Sequence, residues 1–278
     1  MPKEFNPPKN RLDVLEKCGI LNFIKTTVFG DNPETNEEEH GRASKRLKKS
    51  TDDNSSEKNR TRNKWSYCDL GCNEGDLSLA LSSEIMGKES SDEIFMHCLG
   101  LDIDEELIER AQSKKKSASA AGEKDSSNAL RFHAEFHECN LNDAKDHMEK
   151  SEEFLKQSGI TRFDLTSIFS TTMWIHIHSG DDGLVAFLER ACSLTNYLLI
   201  EPQPSKCYRS VNVRLRRMNR PEEDISVDRL KMRENIEESI DRVVTSFGFK
   251  KVTIPNDEVQ NSRTKWKRKL QIYKRVKL

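Results

Sequence analysis

Residues Trp65–Leu81 read WSYCDLGCNEGDLSLAL: a short apolar strand, then Asp69-x-Gly71-x-x-x-Gly75, then leucines at helical spacing. Glycine tolerates positive φ and has no Cβ, so a turn built this way lets backbone approach a ligand closely. A dinucleotide fingerprint requires G-x-G-x-x-G after the strand, and here Asn73 stands where the second glycine belongs. A carboxylate such as Asp69 ahead of a single glycine turn suits a ligand with an ammonium group, as S-adenosylmethionine has. An ordinary strand-turn-helix with structural glycines has the same local pattern.

The sequence continues this alternation on both sides. Ile94–Ile103 (IFMHCLGLDI) reads as a second buried strand ending at Asp102, whose two acceptor oxygens suit the hydroxyls of a ribose. Asp104 is placed to cap a helix running to about Lys116. A third strand within Leu130–Leu141 brings Asn140 to its end, either as a reader of an adenine edge or as a surface residue. Phe163–Phe169 reads as the fourth strand, Asn196–Ile200 as the fifth, Phe249–Ile254 and Lys269–Val276 as two closing strands, the last joined without a crossover helix. The expected fold is therefore α/β: a Rossmann-like class I methyltransferase fold, mostly parallel and seven-stranded, with one antiparallel strand.

In such a sheet ligands bind beyond the carboxyl ends of the strands, so the segments leaving strands four and five matter most. The first, Ser170–Asp182, reads as a loop carrying Trp174, His176 and His178 ahead of a helix over Gly183–Ser193. The histidines could be acid/base groups or metal ligands, but no third ligand with zinc-like spacing accompanies them and no metal is expected. The second begins Glu201-Pro-Gln-Pro204 and leads into a basic helix from Ser205 to about Arg220 with a narrow stripe of Val211, Leu215 and Met218. Its arginines could fork onto phosphates or form a solvated face. A longer helix is expected over Val227–Phe247.

Of the 278 residues, 33% are charged and 34% hydrophobic, and net charge is −1. Attraction to nucleic acid must therefore come from local patches. The division expected is an N-terminal arm and helix over 1–35, a disordered polar insertion over 36–64, and one domain over 65–278 with a second polar insertion, read as loop, near 117–128. The first insertion holds Lys45-Arg46-Leu47-Lys48-Lys49, a nuclear-import signal, an RNA-contacting tail or merely a solvated run. Seven cysteines without a C-x-x-C pair, and no apolar leader, point to a reducing intracellular setting, cytoplasmic or nuclear. No apolar run is long enough to span a bilayer.

Three segments together carry a family likeness. DLGCNEGDLSLAL, LGLDIDEELI and TTMWIH…GDDGL…YLLIEPQPSKCYR resemble the Bicoid-interacting RNA methyltransferases, which methylate 5′-terminal phosphates of small RNAs, and within them the branch of RNA 5′-monophosphate methyltransferases acting on histidine tRNA and microRNA precursors. Phe5-Asn-Pro-Pro-Lys-Asn-Arg-Leu12 is similar to that branch's arm. The resemblance implies S-adenosylmethionine as cofactor, held by Gly71, Cys72 and Asn73 in the turn, Asp102 and Ile103 at the ribose, Asn140 and Leu141 at the adenine, Phe169, and Arg11 at the methionine carboxylate. Asp69 and Gly75 complete this set from the turn itself. It also implies an acceptor site of Trp174, His176, Glu201, Gln203 and Tyr208. Separately, their charge makes Lys206 and Arg209 candidate phosphate- and RNA-binding cations. The chain departs from the family at Met1-Pro-Lys-Glu, where the arm has Tyr and Arg, and at Ser205, where Glu-Pro-Gln-Pro is followed by Trp. The partner expected is a 5′-phosphorylated small RNA, and the chain is expected to be a monomer. Two alternatives are methylation of another acceptor and an inert RNA-binding scaffold.

Overall fold

The strand Phe163–Phe169 (FDLTSIF) is buried at every position, a pattern that requires covering layers on both faces of a parallel sheet. In the computed structural model, which describes residues 7–30, 64–87, 94–122, 132–211, 227–254 and 268–276, with backbone alone at 7–10 and 117–122, this strand lies near the middle of a seven-stranded sheet. The strands are β1 Lys64–Leu70, β2 Phe95–Asp102, β3 Phe132–Glu138, β4 Phe163–Phe169, β5 Thr195–Glu201, β6 Phe249–Lys251 and β7 Gln271–Arg275. Their spatial order is β3-β2-β1-β4-β5-β7-β6. All pairs from β3 to β5 are parallel, and β7 runs antiparallel to both β5 and β6. This is the class I methyltransferase arrangement expected from the sequence.

Successive strand residues point to opposite faces, and the core divides accordingly. Tyr67, Cys98, Leu165 and Leu199 pack under helices α1 (Pro7–Lys17), α2 (Ile20–Phe23), α3 (Asp76–Met86) and α4 (Glu105–Gly122). Cys68, Leu99, Leu198 and Ile200 pack under α5 (Ala144–Ser158), α6 (Thr172–Leu194) and α8 (Ile236–Ser246), numbered to follow the short α7 (Ser205–Tyr208). The strand order reverses between β1 and β4, and the crevice at their carboxyl ends is where such sheets bind ligands.

Several elements differ from the sequence reading. The segment after β4 is helix, not loop: α6 starts at Thr172 and only breaks at Gly180 (φ 75°, ψ −175°). A distant side chain makes that start possible, because Gln203 Oε1 accepts from the Met173 N–H at 3.1 Å and the Thr172 hydroxyl at 3.2 Å. The stretch at 117–128 is not wholly loop either, since α4 continues to Gly122 through SASAAG, whose alanines favour helix. The helix expected over Val227–Phe247 is divided into 3₁₀ turns at Val227–Arg229 and Lys231–Asn235 followed by α8. β6 stops at Lys251 and β7 starts at Gln271. The basic run at Lys45–Lys49 and the arginines at 214–220 lie outside the described residues.

Helix α5 carries a buried imidazole. His147 is 0% exposed, and neither ring nitrogen has a hydrogen-bond partner among the described residues. Burial, reinforced by the nearby Arg190 cation, pushes its pKa down from 6.5 to about 4. Above pH 6.5 the ring is neutral in both folded and unfolded chains; below it the unfolded chain takes the proton first. Stability therefore falls as the pH drops through 6.5, and about 3 kcal/mol is lost by pH 4. Urea denaturation at pH 7 and pH 5 should show His147→Leu losing less stability on acidification than the wild type. An equal loss in both proteins would exclude this role.

Candidate active site

The carboxyl ends of β1, β2, β4 and β5 supply the residues singled out in the sequence. At the end of β1 the chain turns through Gly71 (φ 84°), Asn73 (φ 53°) and Gly75 (φ 73°). Asn73 replaces the glycine of a dinucleotide fingerprint without losing the left-handed backbone, which Asn tolerates better than most residues. The turn is fastened to β2: Gly71 N–H and Cys72 N–H donate to Leu101 O at 2.8 and 3.0 Å, and Asn73 N–H donates to Asp102 Oδ2 at 2.8 Å.

Asp102 Oδ1 accepts from Asp104 N–H at 3.2 Å. With the Ile103 N–H also directed at it, the carboxylate meets three backbone donors and keeps accepting capacity to spare. Burial raises its pKa against these bonds. Beside it Ile103 is 59% exposed, an apolar shelf at the strand tip. Asn140, just past β3, is exposed, and its Oδ1 accepts from Asn142 N–H at 3.1 Å. Leu141 is buried and its carbonyl accepts from Arg190.

Asp69 occupies a different place from the one its sequence position suggested. It is 2% exposed, and both oxygens already accept serine hydroxyls, Ser167 at 2.6 Å and Ser78 at 2.6 Å. It joins β1, β4 and α3 and supports the turn from below. Burial raises its pKa, with the two serines pulling the other way.

The residues at the tips of β4 and β5 meet at Ser170, which follows β4 with φ 60°. Glu201, at the tip of β5, is 0% exposed and accepts from Arg11 Nε at 3.1 Å and from Arg268 at 3.0 Å. Ser170 Oγ lies 2.6 Å from the Arg11 guanidinium and 2.9 Å from Glu201 Oε1, and it also accepts from Arg268. Arg11 additionally stands 5.4 Å over the Phe169 ring. Two guanidinium groups thus converge on one buried carboxylate, with the Asp69 carboxylate also felt by Arg11. The Gln203 amide donates to Ser170 O, so the Glu-Pro-Gln-Pro segment holds both the ion cluster and the start of α6. Arg11 and Glu201, assigned to opposite halves from the sequence, are thus direct partners. Arg268 and Ser170 were not foreseen: Arg268 sits in a basic run with no local motif, 67 residues from Glu201 in sequence.

The histidine of the Trp-Ile-His segment faces inward. His176 is fully buried, with Nδ1 at 2.9 Å from the Tyr208 hydroxyl and Nε2 at 2.7 Å from Asp181 Oδ1. Burial lowers its pKa below the ordinary histidine value, with Asp181 opposing. Burial pushes the Tyr208 hydroxyl well up, and the side chain is 1% exposed. Trp174 is half-buried against the core, whereas His178, Lys206 and Arg209 are exposed. Among the described residues no group of three or more His, Cys, Asp or Glu side chains is arranged to hold a metal ion, and no helix is long and apolar enough to cross a membrane.

Ser205, which follows Glu-Pro-Gln-Pro, donates to the carbonyls of Arg233 at 2.5 Å and Glu234 at 2.9 Å. This tether joins α7 to the 3₁₀ turn Lys231–Asn235.

Comparison with known proteins bears on both halves. A family model described as Bicoid-interacting protein 3 matches residues 163–275, from β4 through β7. A pre-miRNA 5′-monophosphate methyltransferase of Xenopus laevis is 36% identical over 185 residues, covering 66% of this chain and 67% of the relative. Its counterpart in Danio rerio is 32% identical over 224 residues, covering 79% and 70%. An RNA 5′-monophosphate methyltransferase of Rattus norvegicus is 38% identical over 157 residues, covering 54% and 50%.

Proposed function

Because this chain belongs to the Bicoid-interacting protein 3 family, we propose that it is an S-adenosylmethionine-dependent methyltransferase that acts on the 5′-terminal monophosphate of small RNAs, tRNA or microRNA precursors. The observation that carries the reading is the meeting at Ser170 of two clusters: the Arg11–Glu201–Arg268 ions and the Gln203-capped helix with its Trp-Ile-His segment.

The residues at the strand tips fit the donor. Asp102 has accepting capacity left for a ribose hydroxyl, Ile103 offers an apolar shelf for a base, and the forked geometry of the Arg11 guanidinium suits a carboxylate. Gly71, Cys72, Asn73, Asn140, Leu141 and Phe169 would line the same crevice. When bound, the donor supplies an electrophilic methyl group on a sulfonium.

The chain's own task is mostly positioning. A terminal phosphate monoester has its second pKa near 6, so the nucleophilic oxygen is already anionic at neutral pH and no general base is needed. His176, neutral and enclosed, is suited to bracing rather than to proton abstraction. Lys206 and Arg209 are exposed, on and just after α7, and carry the charge that suits an RNA end. Transfer consumes opposite charges, so a tight cationic clamp on the phosphate would stabilise the ground state and slow the reaction.

The test is incubation of the protein with methyl-labelled S-adenosylmethionine and small RNAs bearing either a 5′-monophosphate or a 5′-hydroxyl. Label only on the phosphorylated RNA is expected. Equal label on both would move the acceptor elsewhere. No label, together with no thermal shift on adding S-adenosylhomocysteine, would indicate a scaffold.

A further inference from the structure

Asp181 follows the break in α6 at Gly180 and gathers three donors onto one carboxylate. Its Oδ1 lies 2.7 Å from His176 Nε2 and accepts from Met232 N–H at 3.0 Å, while Oδ2 accepts from Lys231 N–H at 3.0 Å. Burial opposes ionisation of this carboxyl, but the bonds from Met232, His176 and Lys231 outweigh it and hold its pKa below the ordinary value. An ionised carboxylate only accepts, so the proton on that His176–Asp181 bond belongs to Nε2. The neutral ring then has a lone pair at Nδ1, and the Tyr208 hydroxyl 2.9 Å away must be the donor there.

The same carboxylate also fixes main chain. Lys231 and Met232 open the 3₁₀ turn Lys231–Asn235, and Ser205 at the start of α7 binds the far end of that turn through the Arg233 and Glu234 carbonyls. The break in α6, the 3₁₀ turn and α7 are therefore joined in a ring by Asp181, Ser205 and the His176–Tyr208 bond.

We infer that Asp181 is a positioning residue: it holds His176 as the Nε2–H tautomer, commits the Tyr208 hydroxyl proton to His176 Nδ1, and fastens the 231–235 turn against α7, setting the wall from which Lys206 and Arg209 project. Its kinetic consequence rests on the phosphate-methylation reading; its tautomer consequence does not. Asp181→Asn keeps an acceptor for His176 and Met232 when the amide nitrogen turns toward Lys231, so it loosens the turn alone. Asp181→Ala removes every acceptor and frees both the ring and the turn.

The experiment combines ¹⁵N NMR of imidazole-labelled protein, with His176 assigned by its loss in His176→Gln, and steady-state methylation of 5′-monophosphate RNA. Wild type and Asp181→Asn are expected to show His176 as a single Nε2–H tautomer, and Asp181→Ala an averaged ring. Asp181→Asn should raise the RNA KM about threefold with little change in kcat, and Asp181→Ala should lower kcat roughly 100-fold through misplacement. The thermal shift with S-adenosylhomocysteine should persist in both. An Nδ1–H ring in the wild type, or the same loss of kcat in both variants, would overturn the assignment. If the wild-type protein fails to methylate the RNA, the functional reading falls while the tautomer result still decides the role of Asp181.

Discussion

Replacing Glu201 with alanine is expected to destabilise the protein by about 3–5 kcal/mol, because it leaves two largely buried guanidinium groups facing each other without their carboxylate. Glu201 is 0% exposed, and the side chains of Arg11 and Arg268 are 14% and 10% exposed, so water cannot readily replace it. The effect should spread beyond β5. Arg11 ties α1 to the strand tips, so its release loosens a helix that packs against α3. Denaturant unfolding of Glu201→Ala measures the first effect, and amide exchange over residues 7–17 measures the second. The double variant Glu201→Ala/Arg268→Met, which removes the surplus charge, should recover part of the loss. A single variant as stable as wild type would show that the cluster contributes no net stability.

The second large effect is expected at Gly71. Its φ of 84° strains any other residue, and a Cβ there would lie 2.0 Å from Thr171 Oγ1. Thr171 cannot simply rotate away, since that hydroxyl bonds to the carbonyls of Leu70 and Phe169 at 3.1 and 3.2 Å. Backbone strain alone costs about 1–3 kcal/mol, and overpacking adds a similar amount. Gly71→Ala should therefore melt well below wild type and lose the thermal shift produced by S-adenosylhomocysteine. A variant retaining the full shift would separate the glycine turn from cofactor binding.

How much of this was legible depended on the range of the forces involved. β4 was readable end to end because a both-faces-buried strand declares itself in seven consecutive residues. The glycine turn and Asp102 were readable because they follow strands at fixed offsets. The start of α6 was not, because the Met173 N–H in its first turn is satisfied by Gln203, 30 residues further along. Without that cap, Ser170–Asp182 has the composition of a loop. The partnership of Arg11 with Glu201 spans 190 residues, and Arg268 joins them from a run with no pattern of its own. Asp181 was visible only as one letter of Gly-Asp-Asp; its three donors come from α6 and from a turn 50 residues away. Likewise the resemblance assigned His176 and Tyr208 to an acceptor site; that they bond to each other and face inward is decided by burial, and no local signal reports it.

The central claim is that the acceptor atom is an oxygen of the RNA's terminal phosphate. Its most direct test is digestion of the methyl-labelled RNA to mononucleotides after reaction with labelled S-adenosylmethionine. Label is predicted solely in the 5′-terminal nucleotide, as a phosphate methyl ester removed together with the phosphate. Label in an internal nucleotide, or label that stays on the base or ribose after the terminal phosphate is removed, would contradict it.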